Sequence, residues 1–195
     1  MRLTKEQAAQ NREKIIETAD RVFRERGIDG VSVADLMKEA GFTHGGFYNH
    51  FASKQELVAE ASRAAFAKSM GALLEQTSAD KNGRQFAKGL QAYLSPAHRD
   101  DCTGGCPAAA FLGEVSRQGC EMQSTYAQGI KAFLEVYESQ NAIKCGTSCK
   151  ATAREKAIDV LANLVGSLLL ARAVVKADPA LSDEILAAGR RQLPK

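Results

Sequence analysis

The sequence predicts an all-α protein, and three observations lead there. Apolar residues recur three and four positions apart through most of the chain, the spacing of one helical face. Alanine and leucine are plentiful, while only 4 prolines and no tryptophan appear, a composition that favours helix over sheet. No stretch reads as a strand. The 195 residues suffice for one large domain or for a small module plus a larger one. Hydrophobic residues at 45% and charged residues at 25% mark a chain that folds, which excludes a disordered tail.

The elements follow in order. Ile15, Ala19, Val22 and Phe23 form one face of a first helix. Gly27 ends it in a left-handed cap, with Arg24 and Arg26 in the last turn where the dipole favours cations. Ser32 caps a second helix, with Asp35 three positions on, and its apolar face is Val33, Leu36, Met37 and Ala40. Gly41 breaks the chain. Thr43 then caps a third helix, residues 44 to about 51, whose Phe47 and Phe51 face inward.

Ser53 and Glu56 make a capping box for a fourth helix through Leu57, Ala61, Ala64 and Ala65 to about residue 76. Residues 77–83 are polar and read as a loop. A fifth helix carries Phe86, Leu90, Tyr93 and Leu94, and residues 96–106 are the most loop-like part of the chain. Pro107 suits the first turn of a short helix to about residue 118. Residues 121–139 form another, 140–150 a second loop, and Thr152 with Glu155 starts a long helix to about residue 176. The last helix covers 182–192.

Residues 32–54 form the informative segment. A helix-turn-helix needs a bracing helix, a glycine turn, and a second helix whose outer face offers polar groups to the DNA major groove. Here Phe47 and Phe51 supply the inner face, and His44, Tyr48 and Asn49 the outer one. Gly45 and Gly46 allow close approach to a duplex, since no side chain holds it off. Thr43 combines a capping position with reach to a phosphate. The net charge of +3 permits a nucleic-acid partner without demanding one. Residues 1–54 carry nine Lys/Arg against eight Asp/Glu, so the interface must come from placement rather than from a basic domain.

The run from Gly41 to Lys54, with its glycine–aromatic–threonine start and its Tyr48-Asn49-His50-Phe51-Ala52-Ser53-Lys54 ending, resembles the recognition segment of the TetR family of bacterial transcriptional regulators. The resemblance covers about residues 11–60. It implies a helix-turn-helix DNA-binding domain over 1–55 and a helical ligand-binding and dimerisation domain over 56–195. It also implies a homodimer on double-stranded operator DNA, and repression relieved by a small-molecule effector. Carried over to this chain, Thr43, Tyr48, His50 and Lys54 touch phosphates, with Ser32 at the head of the bracing helix. His44, Gly45, Gly46 and Asn49 lie nearest the base edges. Many relatives have lysine or arginine where this chain has His44, which removes one strong guanine-reading group.

Five cysteines, at 102, 106, 120, 145 and 149, make an odd count that argues against a disulfide framework. Cys102/Cys106 and Cys145/Cys149 each have the spacing of zinc ligands. The readings open to them are packing, thiol sensing and a metal site, and neither a metal nor a cofactor is expected. Cys106 leads as a sensor, because it stands just before the helix at Pro107, where the dipole favours a thiolate. The expected effector is lipophilic and uncharged, as few charged residues fall on inner faces. Phe66, Met70, Phe86, Tyr93, Phe111, Met122, Tyr126 and Phe133 are the candidate lining of its pocket.

The helix around Ile158, Leu161, Leu164, Leu168 and Leu170 is apolar nearly all round and must be covered on more than one side. With Ile185 and Leu186 it is the expected dimer seam, and Ala162, Gly166 and Ala173 allow close approach. Asn163, Gly166, Ser167 and Arg172 interrupt this apolar stretch, so a membrane span is not expected, and the polar start points to a cytoplasmic protein. The competing function is a thiol- or metal-handling protein built on the Cys-x-x-x-Cys pairs. No base lies close in sequence to any thiol, so no enzyme is expected.

Overall fold

The computed structural model describes residues 4–78, 83–145 and 150–194. Among these the elements are α1 (Lys5–Arg26), α2 (Val33–Ala40), a 3₁₀ helix (His44–Asn49), α3 (Lys54–Ser78), α4 (Arg84–Tyr93), α5 (Pro96–Asp100), α6 (Pro107–Val115), α7 (Cys120–Cys145), α8 (Lys150–Val174) and α9 (Pro179–Arg191). No described residue is in a strand. Helix α3 is the spine: it packs on α1 at its start and on α7 along its length, and α8 pairs with α9 on the far side.

Local chemistry explains most boundaries. Thr4 and Gln7 form a reciprocal capping box at the start of α1. Ser32 accepts from the Asp35 amide at 3.1 Å, and Gly41 closes α2 in the left-handed region at φ 83°. At the head of α3, Ser53 accepts from the Glu56 amide at 3.1 Å, while the Glu56 carboxylate reaches back one residue further than expected, to the Ala52 amide at 2.6 Å. Asp178 caps α9 through the Leu181 amide at 2.9 Å, with Pro179 in the first turn.

Several expectations are corrected. Gly27 has positive φ (77°) but ψ of 158°, so it leaves α1 extended rather than in a left-handed turn. Residues 44–49 wind as a 3₁₀ helix two residues shorter than the predicted third helix, because two consecutive glycines give little support to an α-helical nucleus. Residues 96–106 are not all loop, since Ser95 accepts from the His98 amide at 3.2 Å and Pro96 sets the first turn of α5. Helix α7 continues through Cys145, so the expected second loop is helical over its first part. Helix α8 begins at Lys150, before Thr152, and α9 begins at Pro179, before Ser182.

The stretch Ala153–Val174 is long and apolar enough to cross a membrane by length and composition alone, longer than the sequence reading allowed. Its interruptions are satisfied inside the protein. Arg172 donates to the carbonyls of His98 (2.9 Å), Arg99 (2.9 Å) and Asp101 (3.0 Å), a cation against the C-terminal end of α5. Asn163 donates to the Gly189 carbonyl at 2.9 Å and accepts from Ser167 at 3.1 Å.

Candidate nucleic-acid interface and cavity

The segment after Gly41 stands on two wholly buried rings. Phe47 and Phe51 lie 5.5 Å apart between centroids and sink among Leu36, Met37 and the α1 face of Ile15, Ala19 and Phe23. The opposite side is open. Tyr48 is 65% exposed, with its ring edge-on to Phe47 at 5.2 Å and to His44 at 6.2 Å. Thr43, His44, Gly45 and Asn49 are exposed, and His50 is half-buried. Thr43 occupies the N-cap position but makes no side-chain cap bond, contrary to expectation, so its hydroxyl is not taken up by the helix.

Glycine 45 has no structural reason to be glycine: a Cβ there would meet nothing within 4 Å. A Cβ on Gly46 would make ordinary contacts with Thr43 and Met37. Two other candidates are committed internally. The Ser32 hydroxyl caps α2 and also donates to the Asp35 carboxylate at 2.5 Å. The Lys54 ammonium donates to the Ile28 carbonyl at 2.6 Å and lies 6.0 Å from the Phe23 ring, which braces the α1–α2 turn. An ammonium has three donors, so one such bond leaves two for an external anion.

Two carboxylates of these helices are held in ion pairs. Glu39 accepts from Arg21 at 2.9 Å and also bridges Arg26, and the Arg21 bond holds its carboxyl below the ordinary value. Glu60 pairs with Arg12 across α1 and α3. The His44–Asn49 segment itself contains no acidic residue.

A cavity of about 360 Å³ lies between α3, α4, α6, α7 and α8, within the size range of small-molecule sites. Of the predicted lining, Phe66, Met70, Tyr93 and Phe133 are there, joined by the candidate sensor Cys106. Phe111, Met122 and Tyr126 are not: they are core residues, with Tyr126 edge-on to Phe66 and its hydroxyl donating to the Ala108 carbonyl. Phe86 lines a separate, much smaller hollow near Tyr137. Helical spacing gives core and cavity aromatics the same pattern, which is why the sequence could not separate them.

The sequence missed three charged residues of the lining, Asp20, Arg24 and Lys68. Asp20 and Arg24 reach the cavity from α1, and they pair with each other at 2.5 Å. His98 also lines it. Its Nδ1 lies 2.7 Å from the Tyr93 carbonyl and its Nε2 accepts from the Cys106 amide at 3.2 Å, and burial pushes its pKa down. Those two bonds fit a neutral ring protonated on Nδ1.

Cys106 is the N-cap residue of α6 and is partly buried, whereas Cys102 and Cys120 are exposed. Cys145 and Cys149 fall outside the described side chains. Among the described residues no group of three or more His, Cys, Asp or Glu is placed to hold a metal.

Comparison with known proteins agrees with this arrangement. Residues 15–61 match the family model described as bacterial regulatory proteins, tetR family. The chain is 47% identical over 58 residues to the HTH-type transcriptional regulator TtgR of Pseudomonas putida, covering 30% of this chain and 28% of that protein. It therefore spans little more than a quarter of that relative. To the HTH-type transcriptional regulator LmrA of Bacillus subtilis it is 28% identical over 178 residues, 88% of this chain and 91% of the other. Among solved structures, the reduced form of E. coli NemR superposes with a TM-score of 0.77 over 95% of this chain and 97% of that one, at 20% identity. That likeness shows the fold.

Proposed function

We propose that this chain, which matches the tetR family of bacterial regulatory proteins over residues 15–61, is a DNA-binding transcriptional repressor of that family, not an enzyme, working in the cytoplasm as a homodimer. The observation that carries the reading is the exposed face of His44, Gly45, Tyr48 and Asn49 mounted on buried Phe47 and Phe51. A glycine free of internal constraint beside an exposed tyrosine fits a surface shaped by an external partner. Thr43, Tyr48, His50 and Lys54 then take phosphates and fix register, while His44, Asn49 and the backbone at Gly45 and Gly46 approach base edges. Ser32 acts by holding α2.

Residues 1–55 form the DNA-binding unit and 56–195 the effector and dimerisation unit. Dimerisation uses the outer stripe of α8, where Ile158 (50% exposed), Ala162, Gly166, Leu170 (61% exposed) and Ala173 follow one another at near-helical spacing; Leu181 of α9 is exposed as well. Leu186 is wholly buried within the protomer and takes no part. The cavity holds the effector, a small lipophilic molecule, and modification of Cys106 at its wall is a second route to release. A hundredfold loss of operator occupancy needs about 2.7 kcal/mol of discrimination between the two states.

The test is fluorescence anisotropy on DNA from upstream of the protein's own gene, or on sites selected from random DNA, across a salt series. Specific binding that weakens steeply with salt, and that Tyr48→Ala reduces at least tenfold, supports the repressor. Affinity that ignores salt and is unchanged in Tyr48→Ala overturns it. Running the series reduced and then mildly oxidised, with Cys106→Ser as control, separates thiol from ligand release.

A further inference from the structure

The cavity is apolar over most of its wall, through Phe66, Met70, Leu73, Ile130 and Phe133, and polar at one end. At that end the charges are already matched. Arg24 is held by Asp20 and by the Gly105 carbonyl, and His98 spends both ring nitrogens on backbone groups. Lys68 stands exposed at the rim. One polar atom is left over. The Tyr93 hydroxyl is shut away from solvent and has no nitrogen or oxygen partner among the described residues, only the Cys106 thiol beside it. Its ring packs edge-on against His98 at 4.5 Å, which fixes where the hydroxyl sits.

Burial, and then the nearby Cys106, push the Tyr93 pKa well up, so the group stays a neutral phenol. A thiol is a weak hydrogen-bonding partner and satisfies a phenolic proton poorly. A buried unsatisfied donor costs stability until something accepts from it. The end wall therefore offers a preset donor, beside an Arg24 charge already matched by Asp20.

We propose that the cavity takes an uncharged, mainly apolar carbonyl compound, of the aryl ketone class, whose oxygen accepts from the Tyr93 hydroxyl. This deepens the lipophilic-effector reading and rests on it. The apolar wall supplies most of the affinity, and Tyr93 selects for an oxygen at one end. An anion gains little at the Tyr93 end, where Asp20 already neutralises Arg24.

The experiment uses the purified full chain without DNA and titrates three probes of nearly equal shape: 2-acetylnaphthalene, 2-ethylnaphthalene and 2-naphthoate. The expected result is that the ketone binds about tenfold or more tighter than the hydrocarbon and the carboxylate. In Tyr93→Phe, which removes an unpaired group and should fold as well as the parent, the ketone and hydrocarbon converge to within about threefold. A ketone preference that survives in Tyr93→Phe, a preference for the carboxylate, or no binding of any probe overturns the proposal. DNA plays no part in this titration, so its failure leaves the repressor reading standing. Failure to bind any DNA would in turn leave the ketone result intact.

Discussion

Arg24, on the first helix, donates to the main-chain carbonyl of Gly105 at 2.5 Å, one residue before Cys106. Its side chain is only 4% exposed, pairs with Asp20 through Nε, and lies 5.8 Å from the Phe111 ring. A residue of α1 is thus tied to the wall of the cavity. The Gly105 position admits no side chain, since a Cβ would come within 2.8 Å of the Asp101 carbonyl and 3.1 Å of Arg172. Movement of the 101–106 loop must therefore be felt at α1.

Arg24→Met keeps the apolar stem and removes the link. It should lower unfolding free energy by about 1–3 kcal/mol, since Asp20 and the Gly105 carbonyl both lose a partner. The larger effect should be on communication. The ratio of operator affinities before and after peroxide, or with and without effector, should shrink to within about threefold of unity, a coupling loss of order 1–3 kcal/mol. Urea unfolding and anisotropy measure the two separately, and an undiminished ratio would sink the link as a coupling element.

A second tie runs from α6 to the turn after α1. The Glu114 carboxylate accepts from the Ile28 amide at 2.8 Å, beside Gly27 with its positive φ. Ile28 is buried and its carbonyl is held by Lys54, so this turn has its polar groups satisfied by side chains rather than by water. Glu114→Ala should cost about 1–3 kcal/mol in urea unfolding, because the amide is left without an acceptor. Glu114→Gln retains an acceptor oxygen and should recover most of that loss. Equal losses in both variants would mean that charge, not the hydrogen bond, matters at this position.

The parts of this molecule that were legible in the sequence are those fixed by neighbours in the chain. Ser32, Gly41 and the Phe47/Phe51 spacing placed the helix-turn-helix because caps and i, i+4 faces are local facts. The 3₁₀ winding is not legible in this way, since paired glycines give both close access to a duplex and weak helix support, and only the backbone shows the second. Ser95-Pro96 carried a readable helix start, overlooked among the glycines, aspartates and cysteines that follow. Asp20 and Arg24 could not be found at all, for their role depends on a contact 81 positions along the chain. Tyr126 and Tyr93 share a helical pattern, yet one is core and the other faces the cavity, which only packing decides.

His98 should make stability depend on pH. Burial is the main cause that lowers its folded pKa, so the folded protein refuses a proton that the unfolded chain accepts. The stabilisation from its neutral ring is complete above about pH 6.5, the ordinary histidine value, and declines as pH falls through that value toward the lower folded one. Protonation at Nε2 also removes the acceptor of the Cys106 amide. The urea midpoint should fall between about pH 7.5 and about pH 5.5 in the parent, and clearly less in His98→Gln. Parallel declines in both proteins would assign the effect to other groups.

Gly45 gives the sharpest separation between folding and function. Its φ is not positive, and a Cβ would meet nothing within 4 Å, so nothing in the fold asks for glycine there. Gly45→Ala should leave stability unchanged or raise it by up to about 1 kcal/mol, because alanine loses less backbone freedom on folding. If the open space over Gly45 is filled by the edge of a duplex, the added methyl must push the recognition segment away from it. Operator affinity should then drop about tenfold or more while the salt slope, set by phosphate contacts elsewhere, stays nearly the same. Thermal unfolding and anisotropy on one preparation decide it: a variant that is as stable and binds as tightly as the parent would show that Gly45 lies off the DNA.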